Sequence, residues 1–290
     1  MVEHVKVGIT GSNGFLGRNL VKTLKLYGYQ IVEFTTAPQK QDQVCLDYSN
    51  IDLMKSHFLK IDLLIHAAWT PGSRADRQNP DLQALNKVIG GKIANAAAEA
   101  SVKKIIGVGS QDELATSLTP WADDEPFNPQ SYYSEAKLAT YNHFLNATNE
   151  LLWVRLLSIY GTSDPRNWVI TNAIKSLKSE KEFKVGGCQQ LFNLTHVTDA
   201  AHAFHQLIDK KVLGPVNVST LEAASLKSSL ELLEKLSGRR GLIKYQGPSD
   251  ERNQIRSSGS LEKIGWYPRT SLEVGFRELL EYHDERFIAL

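Results

Sequence analysis

The sequence predicts an α/β fold: a doubly wound parallel sheet with a smaller, interleaved lobe formed by the C-terminal part of the chain. In the first half of the 290 residues, short β-branched runs alternate with helix-like runs, a pattern typical of β-α-β units. Right-handed crossovers then place helices on both faces of the sheet. After Gly161 the alternation loosens without a Ser/Gly-rich linker. We therefore expect a first domain over 1–160 and a second lobe over 161–290, with segments that return to the first domain.

The elements follow from that alternation. In the first half, the β-branched and apolar runs predict strands at 5–10, 30–35, 63–68, 104–110 and 151–158, and the segments between them predict helices at 14–27, 51–58, 80–100 and 132–146. In the second half, helices are predicted at 165–178, 197–209, 225–236 and 271–287, with short strands such as KVGG and VNVST between them.

Composition excludes several classes of protein. The net charge of +1 provides no strong field for nucleic acid or a membrane surface. The longest apolar runs, such as 63–69, are too short to span a bilayer. Cys45 and Cys188 lack metal-site spacing, so we expect reduced thiols, a cytoplasmic protein and no metal site.

Three glycines at the first strand–helix junction predict a phosphate-binding turn. The stretch VGITGSNGFLGRNL places Gly11, Gly14 and Gly17 between a strand and a helix. Glycine allows a tight turn and the close approach of a pyrophosphate. The helix N-terminus adds N–H groups and the positive end of a dipole. The junction therefore favours a Rossmann-type dinucleotide site over a merely flexible turn.

A second motif, YYSEAK, follows the fourth predicted strand. Tyr133 and Lys137 are four residues apart, so both lie on one face of the predicted helix. An ammonium beside a phenol is expected to lower the tyrosine pKa. The pair therefore predicts a general acid–base that works near neutral pH.

Together these motifs resemble the extended short-chain dehydrogenase/reductase family, which contains nucleotide-sugar epimerases, dehydratases and reductases. Later landmarks of the family match VRLLSIYG, THVTDAA and IGWYPRTSLEVGF, so the resemblance covers nearly the whole chain. It implies a site that binds a dinucleotide through TGSNGFLG, LDYS and IHAAW, hence through Gly11, Asn13, Gly14, Phe15, Leu16, Gly17, Asp47, Tyr48, Ala67 and Ala68.

The resemblance also implies the catalytic roles. Tyr133 exchanges a proton with a sugar hydroxyl or ketone oxygen, and Lys137 holds the nicotinamide ribose and lowers the pKa of Tyr133. Ser110, in VGSQDEL, donates a hydrogen bond to the same oxygen. The cofactor supplies the hydride chemistry, while the protein supplies position and electrostatics.

Departures from the family pattern narrow the reaction. Dehydratases follow the catalytic Thr with Asp or Ser and then Glu, whereas this chain has Gln111 and Asp112. Gln111 cannot act as an acid, which argues against dehydration. In many relatives an Arg binds the substrate diphosphate. The corresponding position in this chain falls near Phe192, where there is no Arg, and an Asn that lies near the substrate in relatives is Ser158 here. Four residues of the second lobe are possible substitutes: Arg166, Trp168, Arg252 and Arg256.

The end of the second strand bears on the choice of cofactor. NAD enzymes present Asp or Glu there for the ribose hydroxyls, whereas this chain places Thr35 and Thr36 at the contact points and Glu33 on the side that points away. Without a carboxylate, nothing repels a 2′-phosphate, which Ser12, Arg18 or Lys40 could help to bind. The sequence therefore favours NADP(H) over NAD(H).

The most specific hypothesis is an NADPH-dependent reductase of a nucleotide-linked 4-keto-6-deoxy sugar. The alternatives are an epimerase with tightly bound NAD and a non-catalytic dinucleotide sensor. The expected partners are a nucleotide sugar and a second copy of the chain, since relatives often form dimers through helices corresponding to 80–100 and 132–146.

Overall fold

The computed structural model describes residues 5–70, 73–115, 119–165, 168–248, 253–257 and 259–288. The strands are β1 (Lys6–Thr10), β2 (Gln30–Thr35), β3 (Val44–Cys45), β4 (Leu63–His66), β5 (Lys104–Ser110), β6 (Glu150–Leu156), β7 (Ile159–Tyr160), β8 (Phe183–Val185), β9 (Leu191–Phe192), β10 (Thr195–His196), β11 (Gly214–Val218), β12 (Ala224–Ser225) and β13 (Ile243–Tyr245). The helices are α1 (Phe15–Leu26), α2 (Ile51–Phe58), α3 (Arg74–Arg77), α4 (Pro80–Glu99), α5 (Tyr132–Ala147), α6 (Val169–Lys178), α7 (Val197–Ile208), α8 (Leu226–Leu236), α9 (Ser260–Lys263) and α10 (Leu272–Ile288), and one 3-10 turn spans Gln111–Glu113.

Within these residues, seven parallel strands form the central sheet in the order β11-β6-β5-β4-β1-β2-β3. This confirms the predicted α/β class and the parallel, doubly wound sheet. The order reverses between β1 and β4, because the chain builds outward from β1 in one direction and then from β4 in the other. In open α/β sheets, ligands bind at the carboxyl ends of the strands beside such a switch point.

Successive side chains of the central strands enter two different cores, since neighbouring residues of a strand point to opposite faces. On one face, α1 and α7 contribute Leu20, Leu24 and Phe204. On the other, α2, α4 and α5 contribute side chains that include Met54, Phe58, Ile93 and Phe144. Strand β4 has no exposed residue, which explains why its sequence is a continuous apolar run rather than an alternating one.

The C-terminal half takes part in both regions. The run VNVST was predicted as a short strand between helices, and the structure pairs β11 with the edge strand β6 of the main sheet. Helix α7 packs on α1, so a second segment of the C-terminal half also packs against the N-terminal half. The remaining helices α6, α8 and α10 enclose a separate apolar cluster around Tyr160, Ile170, Leu230 and Phe276. The division at residue 160 into two domains remains a prediction.

Several element ends differ from the sequence-based predictions by two residues or more; the strand predicted over 151–158, for example, spans Glu150–Leu156. The strand predicted over 63–68 ends at His66, because the backbone N–H groups of Ala67 and Ala68 bond to Thr10 instead of continuing the ladder. The helix predicted from residue 165 begins at Val169. Helix α4 begins as predicted at Pro80, where Asn79 caps the N-terminus and proline fills the first helical position.

Candidate functional site

The glycine turn after β1 is tightly packed on one side. Gly11 has φ +70°, a left-handed conformation that favours glycine. A Cβ on Gly11 would lie 2.7 Å from the backbone of Ala68, so the turn after β1 and the turn after β4 are in contact. Gly17 sits in the first turn of α1, where a Cβ would overlap the carbonyl oxygen of Gly11 and lie 2.9 Å from the Cα of Ser12.

Gly14 has different surroundings. It is exposed, and a Cβ there would meet only the carbonyl oxygen of Gly11 at 3.1 Å. Gly14 is also the N-cap of α1, with no side-chain cap and no acidic residue in the first turn. The positive end of the helix dipole therefore faces solvent beside an open surface, an arrangement suited to a phosphate.

The remaining residues of this motif divide their roles. Asn13 reaches over the end of β2, while Phe15 and Leu16 turn their side chains toward the core. Only the backbone of the latter two residues faces the turn. Ser12 was a sequence-based candidate for a 2′-phosphate contact, and the structure corrects this. Its hydroxyl donates to the carbonyl of Phe34 at 3.2 Å and is buried.

A hydrogen-bonded chain closes the end of β2. The hydroxyl of Thr35 accepts from Asn13 Nδ2 at 3.1 Å and from the N–H of Ala37 at 3.2 Å. Gln43 Nε2 then bridges Asn13 Oδ1 at 2.7 Å and Glu33 Oε2 at 2.9 Å. Glu33 is buried and bound by Lys25 at 2.7 Å. Its carboxylate therefore does not reach the exposed Thr36 side of the strand.

The predicted adenine and backbone contacts lie along the same edge of the sheet. Asp47 follows β3 and is exposed. The backbone N–H and the hydroxyl of Ser49 donate to its carboxylate and lower its pKa. Tyr48 packs partly against the core. Ala67 and Ala68 follow β4, next to Gly11. The predicted dinucleotide contacts other than Tyr133 and Lys137 of α5 thus lie at or after the carboxyl ends of β1, β2, β3 and β4.

The predicted catalytic residues also meet at this edge. Ser110 ends β5, and Tyr133 and Lys137 lie one turn apart on α5. The hydroxyl of Ser110 accepts from the backbone N–H of Asp112 at 3.2 Å and lies close enough to Tyr133 to favour its phenolate. Lys137 Nζ donates to the carbonyl oxygen of Val108 at 2.8 Å and lies 3.7 Å from the centroid of the Trp69 ring. All three predicted catalytic side chains are buried.

The electrostatics differ from the sequence-based expectation. Lys137 was expected to lower the pKa of Tyr133, yet burial raises that pKa to about 12. The largest opposing contribution comes from Arg77, whose guanidinium carbon lies 4.7 Å from the centroid of the Tyr133 ring. Lys137 is 5.8 Å from that centroid and is held by the Val108 carbonyl and Trp69. Tyr133 is therefore protonated at neutral pH in this structure.

Sequence reasoning missed two charged residues beside Tyr133. Arg77 ends the short helix α3 and forms an ion pair with Asp112 at 2.8 Å. The capping box of Ser73 and Asp76 marks the start of α3 and can be read from the sequence. The position of Arg77 over the Tyr133 ring depends on the path of the chain after β4, which no local pattern encodes.

The second-lobe residues considered for diphosphate recognition have other partners. Arg256 is buried, and its guanidinium donates to Glu262 at 2.7 Å and to the carbonyl of Ser219 at 2.6 Å. It is therefore a structural ion pair, not a substrate contact. Trp168 is the N-cap residue of α6 and packs partly against the C-terminal core. Arg166 and Arg252 lie outside the described residues.

Gln111 takes part in a polar link between the sheet and the C-terminal half. Its Oε1 accepts from Ser158 at 3.3 Å, and its Nε2 donates to Gln254.

Among the described residues, no group of three or more His, Cys, Asp or Glu side chains is arranged to hold a metal ion. Within the same residues, each helix is too short or too polar to cross a bilayer.

Comparison with known proteins agrees with this geometry. Residues 7–219 match the model of the NAD dependent epimerase/dehydratase family. UDP-glucuronic acid decarboxylase 1 of Xenopus tropicalis is 22% identical over 97% of this chain and 72% of that protein. The NAD(+)-dependent dTDP-6-deoxy-L-talose 4-dehydrogenase of Aggregatibacter actinomycetemcomitans is 26% identical over 77% of this chain and 87% of its own length.

Among solved structures, UDP-glucose 4-epimerase of Thermotoga maritima superposes with a TM-score of 0.85 at 19% identity, covering 98% of this chain and 100% of the epimerase. That likeness shows that the two chains share a fold. Because the family model spans most of the sequence, including the glycine turn and the Tyr133–Lys137 helix, this chain belongs to the NAD dependent epimerase/dehydratase family, as an NAD(P)-dependent enzyme of the extended short-chain dehydrogenase/reductase type.

Proposed function

We propose that this protein is an NADPH-dependent reductase that converts the ketone of a nucleotide-linked 4-keto-6-deoxy sugar to an alcohol. The observation that carries the proposal is the buried, protonated Tyr133 on α5, with Arg77 at 4.7 Å and Lys137 at 5.8 Å from its ring centroid. Reduction of a ketone requires a proton at oxygen as well as a hydride at carbon, so the acid must start in its protonated form. A phenol whose pKa is about 12 meets that requirement.

The residues present fit a dinucleotide. The exposed Gly14 leaves open the surface that a Cβ would begin to fill, beside the uncapped N-terminus of α1. Thr35 and Thr36 would contact the adenosine ribose, and Asp47 would contact the adenine amino group. Lys137 would hold the nicotinamide ribose. A bound nicotinamide would supply hydride to the carbonyl carbon of the sugar.

The chain's own groups act at the carbonyl oxygen. Ser110 donates a hydrogen bond that orients this oxygen, and Tyr133 donates its proton to it. Arg77, over the Tyr133 ring, stabilises the phenolate that remains until solvent returns the proton. Asp112 is paired with Arg77 and so limits the net positive charge at this position.

Dehydration is disfavoured by the same geometry. Elimination of water needs an acid next to Ser110, where this chain has Gln111, a neutral amide engaged by Ser158 and Gln254. The talose dehydrogenase named above acts at carbon 4 of a 6-deoxy sugar carried by a nucleotide. That reaction is the reverse of a 4-keto reduction, which supports the substrate class proposed for this chain.

The direct test is to incubate the purified protein with NADPH and a panel of nucleotide-linked 4-keto-6-deoxy sugars. We expect one NADPH to be oxidised for each alcohol formed. The loss of NADPH absorbance measures this oxidation. Interconversion of two sugar epimers without net consumption of NADPH would instead identify an epimerase. Binding of the dinucleotide with neither reaction would identify a sensor.

The preference for NADP(H) rests on the end of β2. The carboxylate of Glu33 is enclosed by Lys25 and Gln43, and Lys40 is largely exposed, with its Nζ 3.8 Å from Glu33. No acidic side chain among the described residues of the strand end, 34–36, opposes a 2′-phosphate. Lys40 is free to turn toward such a phosphate while Lys25 keeps Glu33 neutralised.

Thr35→Asp is expected to shift the preference from NADPH toward NADH by at least about tenfold, since a carboxylate repels the 2′-phosphate. The hydroxyl of Thr35 already accepts from Asn13 and from the N–H of Ala37, so a carboxylate oxygen can accept the same two bonds. Fluorescence titration with each dinucleotide measures the ratio of dissociation constants. Thr35→Asn is the control, because Asn has the shape of Asp without its charge. A clear preference of the wild type for NADH would overturn the NADP(H) assignment.

We also propose that the protein forms a homodimer through α4 and α5. Four large apolar side chains are exposed on these helices: Leu85, Val88, Tyr132 and Leu145. The two helices pack against each other, so these exposed side chains lie on neighbouring helices that a second copy can cover. Sedimentation velocity tests this, because a monomer at micromolar concentration would contradict it.

A further inference from the structure

A buried carboxylate lies directly behind the proposed catalytic residues. Glu113 belongs to the 3-10 turn after β5 and has no exposed surface. Its Oε1 accepts from the backbone N–H of Ser110 at 2.7 Å, and its Oε2 accepts from Nε1 of Trp153 at 2.7 Å. Burial of a carboxylate is costly unless it is paired and hydrogen-bonded. The mechanism proposed above does not use this group.

Strand β5 is shaped to admit Glu113 and its partner. A Cβ on Gly109 would lie 2.9 Å from Oε1 of Glu113 and would overlap the indole nitrogen of Trp153. A Cβ on Gly107 would overlap the ring of Trp153. The two glycines of GVGS therefore leave the space in which the carboxylate and the indole meet, so the position of Glu113 is built into the strand.

Two cations face this carboxylate. From β6, Nε of Arg155 lies 3.7 Å from Oε2 of Glu113, and neither side chain is exposed. The Arg155 guanidinium also donates to the carbonyls of Asp123 and Glu125, at 3.4 and 3.2 Å. From α5, Lys137 is the second cation: its charge opposes the effect of burial, which raises the pKa of Glu113.

The charge of Lys137 depends on these neighbours. Burial lowers the pKa of Lys137, the charge of Glu113 raises it, and the charge of Arg77 lowers it further. From β4, His66 also faces Lys137, and burial, with a smaller effect of Lys137, lowers its pKa to about 3. His66 is therefore neutral and cannot act as a counter-ion. Tyr133 is protonated, so among these neighbours it is the charge of Glu113 that raises the pKa of Lys137.

We propose that Glu113 is a positioning residue for the catalytic site: it is the buried counter-ion of Lys137 and it holds the backbone of Ser110 at the end of β5. The proposal rests on the proposed function, in which Lys137 binds the nicotinamide ribose. In the absence of the Glu113 charge, Lys137 loses its proton at lower pH and with it the charged hydrogen bond to the ribose. Dinucleotide affinity then falls as the pH rises through the Lys137 titration.

The test measures binding of NADPH to the full-length protein by fluorescence between about pH 4 and pH 10, a range that extends below the lowered pKa of Lys137 and up to the ordinary lysine pKa. Glu113→Gln keeps the shape, removes the charge and loses one of two accepted hydrogen bonds. Trp153→Phe keeps the carboxyl group but removes the hydrogen bond that most strongly lowers the pKa of Glu113. We expect Glu113→Gln to lose affinity at a pH lower by roughly one to three units than the wild type does, and Trp153→Phe to shift in the same direction by less.

Two results would overturn the proposal. One is an unchanged pH of binding loss in Glu113→Gln. The other is a larger shift in Trp153→Phe than in Glu113→Gln, which would assign the effect to local packing. Lys137→Met supplies the third comparison, since it must abolish the alkaline loss of binding. If that loss persists without Lys137, the titrating group is another residue and the proposal is wrong.

Glu113→Gln removes the charge opposite Arg155 and can therefore destabilise the fold. In that case the double variant Glu113→Gln with Arg155→Gln removes both buried charges, and it is expected to show the same downward shift. Arg155→Gln alone is expected to shift less than Glu113→Gln, because the Glu113 carboxyl remains and Arg155 is the smallest of the contributions that lower its pKa. A double variant that behaves as the wild type would contradict the proposal.

The binding measurement separates this inference from the proposed reaction. It requires no sugar substrate, so a protein that binds NADPH but reduces no keto sugar fails as a reductase and still tests Glu113. Conversely, the protein can be an active reductase whose NADPH binding has the same pH dependence with and without the Glu113 charge. That result would support the proposed function and contradict the counter-ion role of Glu113.

Discussion

Tyr133→Phe is expected to lower turnover of a 4-keto sugar nucleotide by roughly 10²–10⁴-fold, the contribution typical of a positioned general acid. This corresponds to about 3–5 kcal/mol of transition-state stabilisation. The substitution removes only a hydroxyl, so the contact with Trp69, whose ring centroid lies 5.7 Å away, is retained. The measurement is NADPH oxidation together with NADPH affinity, which we expect to change little.

The neighbouring residue supplies a matched control. Tyr132 is half exposed, whereas Tyr133 is buried, so Tyr132→Phe is expected to leave turnover unchanged. Ser110→Ala should slow turnover less than Tyr133→Phe, because Tyr133 still delivers the proton. Lys137→Met should weaken dinucleotide binding as well as turnover. Near-wild-type turnover of Tyr133→Phe would reject the acid and make the sensor hypothesis the better explanation.

Gly14→Val is expected to weaken NADPH binding by about 5–150-fold while the fold is retained. The range follows from the usual cost of roughly 1–3 kcal/mol for forcing extra methyl groups into occupied space. Gly14 has φ −70°, which valine can adopt, and a Cβ there meets only the Gly11 carbonyl oxygen at 3.1 Å. The branched side chain therefore takes the place of phosphate rather than of protein. Fluorescence titration and thermal unfolding measure the two effects.

Gly17 provides the contrasting variant. A Cβ there overlaps the Gly11 carbonyl oxygen, so Gly17→Val should lower the free energy of unfolding by roughly 1–3 kcal/mol or more. Gly14→Ala, with a single methyl group, should reduce affinity less than Gly14→Val. If Gly14→Val binds NADPH as tightly as the wild type, the glycine-rich stretch is only a turn.

The sequence by itself determined the fold class and the family, and it named most of the residues proposed for the site. Alternation of strands and helices predicts the parallel sheet because each β-α-β unit is encoded within a short segment. The spacing of Gly11, Gly14 and Gly17 and the i, i+4 pair of Tyr133 and Lys137 are local as well. These patterns require one strand end or one helix face, so they survive in the sequence without knowledge of distant contacts.

Only the tertiary structure decided how the predicted residues interact. Burial raises the pKa of Tyr133, Arg77 opposes it, and Glu113 lies behind Lys137. These residues come from α3, the 3-10 turn and α5, and they meet only when β4, β5 and β6 are adjacent. Likewise, Arg256 looked like a substrate contact until its partner Glu262 was known, and β11 joined the main sheet through pairing with β6. Desolvation and charge pairing depend on neighbours distant in the chain, which local sequence patterns do not encode.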